Sequence, residues 1–213
     1  MFILRIYLII LLITPLSLFS KNTPAEGAAL NYRIIGFSFS AKENTSKYIV
    51  KIAEGNLDNE KSFSKNILVT AESKTNRIVA EVPYFGKQYS WQVTYEDEHS
   101  KKTKSELFHF STLMSPDVNP DSVRMRILCD SERYKDNYIF VDCNKVLYDM
   151  KGSPVWFFPK IETRNPASIH LRDLHLSQFG TLTSIVNGRI YEINYNGDVL
   201  WQGDYRGRFR DER

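Results

Sequence analysis

The residues of this chain best suited to chemistry are few: four histidines, two cysteines and one short stretch that combines histidine with arginine. That stretch is His170-Leu-Arg-Asp-Leu-His175. An imidazole can attack, donate a hydrogen bond or pass a proton near neutral pH. A guanidinium grips an oxyanion with a planar fork of donors. The commoner role of a lone His and Arg ahead of a strand is to satisfy loop backbone or stay solvated. His170 and His175 are an odd number of residues apart, so an unbroken strand would turn them to opposite faces, which argues against a metal pair. His175, inside the strand-like run, reads as a core or packing residue. His99 sits in the charged turn from Glu96 to Lys104, a solvated hairpin tip. His109 is out of phase with Phe108 and Phe110 and is expected on an exposed strand face.

The two cysteines, Cys129 and Cys143, are too few for a disulfide-dense scaffold or a four-Cys zinc site. They end neighbouring strand-like runs. Paired, they would close a loop of about 15 residues, contributing about 3 kcal/mol in the chain-entropy account. Two buried free thiols are the alternative, and the sequence leaves both open. No His lies near either in sequence, so a thiolate nucleophile is not expected. Phosphate-binding glycine loops, dinucleotide glycine motifs, zinc-protease motifs and nucleophile elbows are all absent from the sequence. No cofactor and no metal is implied. A net charge of +3 is too near neutral for a dedicated nucleic-acid binder. With 42% hydrophobic and 25% charged residues, the chain is an ordinary globular mix with core enough for one or two domains.

Residues 1–20 read as an export signal. Arg5 precedes the unbroken apolar run Ile6 to Ile13, and Pro15 interrupts the tail. Fourteen residues from Ile6 to Phe19 reach only about 21 Å as a helix, against the roughly 30 Å a membrane span needs. A signal peptide is therefore favoured over an anchor, with Ser17 and Ser20 as small residues near the cut. No Cys follows the run, so lipoprotein processing is not expected. The mature protein is expected in the periplasm or outside the cell, free of the membrane.

The elements that must position these residues are strands. Between Asn31 and Leu113, short alternating runs succeed one another with no amphipathic helix between them, the pattern of a β-sandwich. Ile35, Phe37 and Phe39 share one face of the first run. Tyr89, Trp91, Val93 and Tyr95 share one face of Gln88 to Tyr95. The stretch Val82-Pro-Tyr-Phe-Gly-Lys-Gln-Tyr-Ser-Trp-Gln-Val, with Ser105, Phe108 or Phe110, and Thr112 closing the last strand, resembles the fibronectin type III pattern. Tyr89 is then the tyrosine corner, its hydroxyl bonded to upstream backbone. Ser115-Pro-Asp-Val-Asn-Pro-Asp-Ser122 breaks helix and strand alike and places a linker at 114–122.

The second module, 123–213, carries an internal repeat. Val146-Leu-Tyr-Asp-Met-Lys-Gly-Ser-Pro-Val-Trp156 matches Tyr191-Glu-Ile-Asn-Tyr-Asn-Gly-Asp-Val-Leu-Trp201 at a constant offset of 45 residues. Each copy is strand, glycine turn, strand ending in Trp, and each follows a further strand run. A unit of about 45 residues with four short strands is the size of a propeller blade. Trp156 and Trp201 are expected to pack between blades.

The Asp-x-x-Gly-x-x-x-Trp repeat resembles that of the bacterial aryl-sulfate sulfotransferase family, whose exported members join an N-terminal β-sandwich to a six-bladed propeller. The stretch from His170 to Leu182 is similar to that family's blade start. The resemblance implies an all-β chain: a fibronectin type III-like sandwich followed by the first two blades, or about that, of a propeller. It also implies sulfuryl transfer from a phenolic sulfate ester to a phenol, which would be the small-molecule partners. Such a site needs a nucleophilic imidazole and cationic donors around the sulfonate oxygens. On this reading His170 and Arg172 are the candidate catalytic residues, His170 as donor or acid and Arg172 as oxygen clamp. The family often has paired His where Arg172 precedes Asp173 here, and no position matches its covalent His nucleophile. Two blades leave open edges and close no ring. The expectation is an N-terminal portion of an exported sulfotransferase-like protein, inactive alone. The alternative is a non-enzymatic periplasmic or surface binding module.

Overall fold

The structure, a computed structural model, describes residues 22–115, 119, 125–128, 132–161 and 170–203. The leader, Cys129 and most of the linker fall outside the described residues. Among the described residues, no helix is long and apolar enough to cross a membrane.

The fold is nearly all-β. Among the described residues, fifteen strands form four sheets: β1 (Ala28–Leu30), β2 (Ile34–Ser38), β3 (Thr45–Glu54), β4 (Ile67–Ser73), β5 (Arg77–Glu81), β6 (Gln88–Asp97), β7 (Lys102–Lys104), β8 (Phe108–Thr112), β9 (Tyr138–Val141), β10 (Val146–Asp149), β11 (Pro154–Phe157), β12 (Leu171–Leu176), β13 (Leu182–Val186), β14 (Arg189–Ile193) and β15 (Val199–Gln202). The first half is a sandwich. Its larger sheet runs β1-β8-β6-β3-β4, with β7 on β6, and it faces the β2-β5 pair. The sandwich includes β1, ahead of the expected start at Asn31, because β1 pairs in parallel with β8 from Ala28–Phe110 to Leu30–Thr112.

Alternation predicts this core well. Ile35, Phe37 and Phe39 from one sheet meet Tyr48, Val50, Ile52, Tyr89, Trp91, Val93 and Phe110 from the other. Phe37 lies edge-on to Trp91 with ring centroids 5.1 Å apart, a favoured aromatic geometry. The tyrosine corner forms as expected. The Tyr89 hydroxyl donates to the Tyr84 carbonyl at 2.9 Å and accepts from the Tyr84 N–H at 3.2 Å. Burial pushes this phenol up to about 12, outweighing the opposing pull of its bond to Tyr84. It therefore stays a protonated donor.

One element corrects the sequence reading. A short helix, α1 (Glu60–Lys65), lies between β3 and β4. Asn59 caps it, its side-chain oxygen accepting from the Ser62 N–H at 2.9 Å. Phe63 is its one buried residue, so no helical period shows in the sequence. The helix is tied to the back of β6: the Gln92 amide and Lys104 both reach the Glu60 carboxylate. Ser90, Gln92 and Thr94 are consequently buried along with the apolar face of β6.

The second half holds two separate antiparallel sheets, β11-β10-β9 and β12-β13-β14-β15. The 45-residue repeat maps one onto the other pair by pair. Val146–Phe157, Leu147–Trp156 and Tyr148–Pro154 become Tyr191–Gln202, Glu192–Trp201 and Ile193–Val199, with the same irregularity after the second pair. The turns also repeat. Asp149 Oδ1 accepts from Lys151 and Ser153 N–H; Asn194 Oδ1 accepts from Asn196 and Asp198 N–H. Gly152 and Gly197 supply the positive φ, 80° and 94°, at the same turn position. A Cβ on Gly152 would meet the Met125 carbonyl oxygen at 2.1 Å.

Each sheet offers one face to the unit before it. Tyr191, Ile193 and Val186 of the four-stranded sheet receive Trp156 and Phe158. The equivalent face of the three-stranded sheet, Val146 and Tyr148, receives Phe85 from the tyrosine-corner loop. Phe85 and Phe157 meet edge-on at 4.6 Å. The sandwich thus stands where a preceding sheet would. The backbone joins them too. Residues 31–33, between β1 and β2, pair antiparallel with the outer edge of β11. Tyr32 bridges Trp156, the Arg33 N–H donates to the Val155 carbonyl at 2.9 Å, and the Phe157 N–H donates to the Asn31 carbonyl at 3.1 Å. The Asn31 amide adds a bond to the Phe157 carbonyl at 2.7 Å. The first sheet is therefore completed by the sandwich segment.

Candidate functional site

His170 immediately precedes β12 and Arg172 is its second residue, and both are exposed. The His170 N–H donates to the Asn187 side-chain oxygen at 2.9 Å, and the Asn187 N–H returns a bond to the His170 carbonyl at 3.0 Å. This closes β12 onto the β13–β14 turn. Next comes a bulge: Arg172 pairs with Ile185, but His175 pairs with Thr183, and Asp173 between them has φ 53°. Three steps on β12 oppose two on β13, so the side-chain alternation shifts by one. Ile185 and Thr183 share a face of β13. Arg172 and His175 therefore share that face, and His170, opposite Asn187, lies on it as well. The odd spacing of the two histidines does not separate them, because the bulge adds one residue. His175 is exposed, not the core residue its strand position suggests.

Trp156 and Trp201 also diverge. Trp156 is 4% exposed and donates its indole N–H to the Tyr195 carbonyl of the next sheet at 3.1 Å. Trp201, at the same place in the repeat, is 54% exposed. Trp201, Glu192 and Thr183, with Ile185 and Arg172 further along, share the face that corresponds to Trp156, Leu147 and Phe140 in the first sheet.

A second place was not anticipated. A cleft of about 450 Å³ opens at the edge of the sandwich, lined by Glu26, Asn56, Asp58, Gln88, His109 and Ser111 among others. His109 is half-buried there rather than on a fully open strand face. Its Nδ1 lies 2.9 Å from a Glu26 oxygen and its Nε2 3.2 Å from the Leu57 carbonyl. Burial alone lowers the imidazole, but the bonds to Glu26 and Leu57, with the charges of Glu26 and Asp58, outweigh it and leave His109 above its ordinary value. Both ring nitrogens lie against acceptors, an arrangement that favours holding the proton. His109 is a clasp between the segment before β1 and the loop before α1. These partners are far apart in sequence, and no local signal marks them.

Cys143 is exposed. Its pairing with Cys129 lies outside the described residues. His99 is exposed at the β6–β7 hairpin, where Asp97 accepts from its N–H at 2.9 Å.

The site geometry defines an all-β sandwich that seats the first of two repeat sheets. No family model matches the chain, and no curated protein matches it. Among solved structures it is similar to the twitchin kinase region from C. elegans (Fn31-NL-kin-CRD-Ig26), at 12% identity and a TM-score of 0.29. That likeness covers 76% of this chain but 29% of the other, and at such a score it carries neither fold nor function across.

Proposed function

We propose that this chain is the N-terminal portion of an exported, aryl-sulfate sulfotransferase-like propeller protein, acting in the periplasm or outside the cell. The observation that carries the reading is the Trp-ended repeat. Its second copy leaves exposed at Trp201 the face that buries Trp156 in the first. A further sheet of the same kind, with a carbonyl placed like that of Tyr195, would complete it. In this reading the sandwich fixes the first blade through Phe85 and residues 31–33. Arg172 on the outer face clamps sulfonate oxygens, and His170 beside it donates a hydrogen bond. The nucleophilic imidazole belongs to a later blade, and the substrates are a phenolic sulfate ester and a phenol. His109 is engaged at both ring nitrogens, by Glu26 and by the Leu57 carbonyl, which supports placing the nucleophile elsewhere. Incubating the purified chain with an aryl sulfate and a phenol should give no sulfate transfer. Turnover by the chain alone would overturn the assignment of the nucleophile to another part of the protein.

A second reading, a non-enzymatic periplasmic or surface binding module, is favoured by the cleft at His109. It predicts saturable ligand binding that a Gln88→Ala change in the cleft wall abolishes while the fold, followed by circular dichroism, is kept.

A further inference from the structure

β11 and β15 occupy the same position in the repeat, in the same register on their partner strands. Their surroundings differ. Every residue of β11 is buried, and its outer edge is paired with residues 31–33. Every residue of β15 is exposed, with Leu200 and Trp201 each 54% accessible. Among the described residues, nothing pairs with its outer edge. An open strand edge that is flat and apolar is a template for another strand.

We propose that the outer edge of β15 is a receptor for an extended segment of a second polypeptide, added antiparallel in the manner that residues 31–33 are added to β11. The offset of 45 assigns the contacts. The Leu200 carbonyl stands where that of Val155 accepts from Arg33, and the Gln202 N–H stands where that of Phe157 donates to Asn31. The Gln202 carbonyl stands where that of Phe157 takes the Asn31 amide. The segment that fits is an Asn-aromatic-basic tripeptide in extended form, its central residue opposite Trp201 as Tyr32 is opposite Trp156. Asn31, Tyr32 and Arg33 are themselves engaged by β11 and do not serve β15 of the same chain. The proposal is independent of the sulfotransferase reading, since it uses the strand edge and not the sheet face.

The test uses the full chain and a synthetic peptide of residues 29–35, Ala-Leu-Asn-Tyr-Arg-Ile-Ile. The peptide has no Trp, Trp91 and Trp156 are buried, and Trp201 is exposed, so protein emission reports on β15. Saturable binding with a blue shift of emission is expected. Protection of the Gln202 amide from hydrogen exchange should accompany it. Methylating the peptide nitrogen of its Arg removes the donor to Leu200 without touching the protein, and should weaken binding about tenfold. Gln202→Pro should weaken it similarly, since proline lacks the donor and is tolerated on an edge. Absence of binding, or equal binding of the methylated peptide, overturns the proposal. So does a chain that is already dimeric through its β15 edges, with the Gln202 amide protected and the peptide unable to compete.

Discussion

The indole N–H of Trp156 donates to the Tyr195 carbonyl, fastening the last strand of one sheet to the final turn of the next. Trp201 has the same place in the repeat but lies open to solvent. Replacing Trp156 with Phe should cost about 1–2 kcal/mol, from the lost bond and the space left behind. Trp201→Phe should stay within about 0.5 kcal/mol. Urea unfolding measures both. Emission separates them, because only Trp201→Phe removes the red, solvated component.

The two repeat glycines should not tolerate alanine equally. At Gly152 a new Cβ runs into the Met125 carbonyl oxygen, which is main chain. At Gly197 it meets the Pro159 ring at 2.6 Å. Both also hold positive φ. Each Gly→Ala change should destabilise by more than about 1 kcal/mol, with Gly152 the worse because backbone yields least. Unfolding midpoints of the two variants should therefore fall in that order.

Tyr89→Phe keeps the ring in the core and deletes the hydroxyl between the Tyr84 N–H and carbonyl. A cost of about 1 kcal/mol is expected, since the Tyr84 N–H loses its acceptor while the Tyr84 carbonyl keeps the Thr112 hydroxyl. The urea midpoint should drop with an unchanged slope, since the surface exposed on unfolding is the same.

His109 makes stability depend on pH. Its folded value is raised, so the folded state holds the proton more tightly than the unfolded chain. The contribution is complete below the ordinary imidazole value of about 6.5 and is lost as pH rises through the folded value. Wild type should therefore exceed His109→Gln most at pH 5, with the gap closing towards pH 9. A gap that widens with pH would show Glu26 to be no partner of the imidazolium.

Strand positions and cores were legible because a period of two survives in Ile35-Phe37-Phe39 and Tyr89-Trp91-Val93. The repeat was legible because Asp149 and Asn194 shape identical turns before Gly. What escaped has physical causes. Helix α1 buries only Phe63, so it has no period to detect. The bulge at Asp173 reversed the faces inferred from counting residues. The cleft assembles Glu26, Asp58 and His109, distant in sequence, through a parallel pairing of β1 that carries no local signature. The double engagement of residues 31–33 was equally hidden, since their alternation continues smoothly into β2.

That crossing segment ties the timing of folding to the order of synthesis. Asn31 must wait for Phe157, 126 positions downstream, before its buried amide finds an acceptor. The β-sandwich, though its own strands end at Thr112, closes its final seam only after the first repeat sheet has been made. Separating the halves at the proline-rich stretch would uncover the Asn31 amide on one side and leave the β11 edge unpaired on the other. The two halves are thus expected to mature as a single late-locking unit rather than in succession.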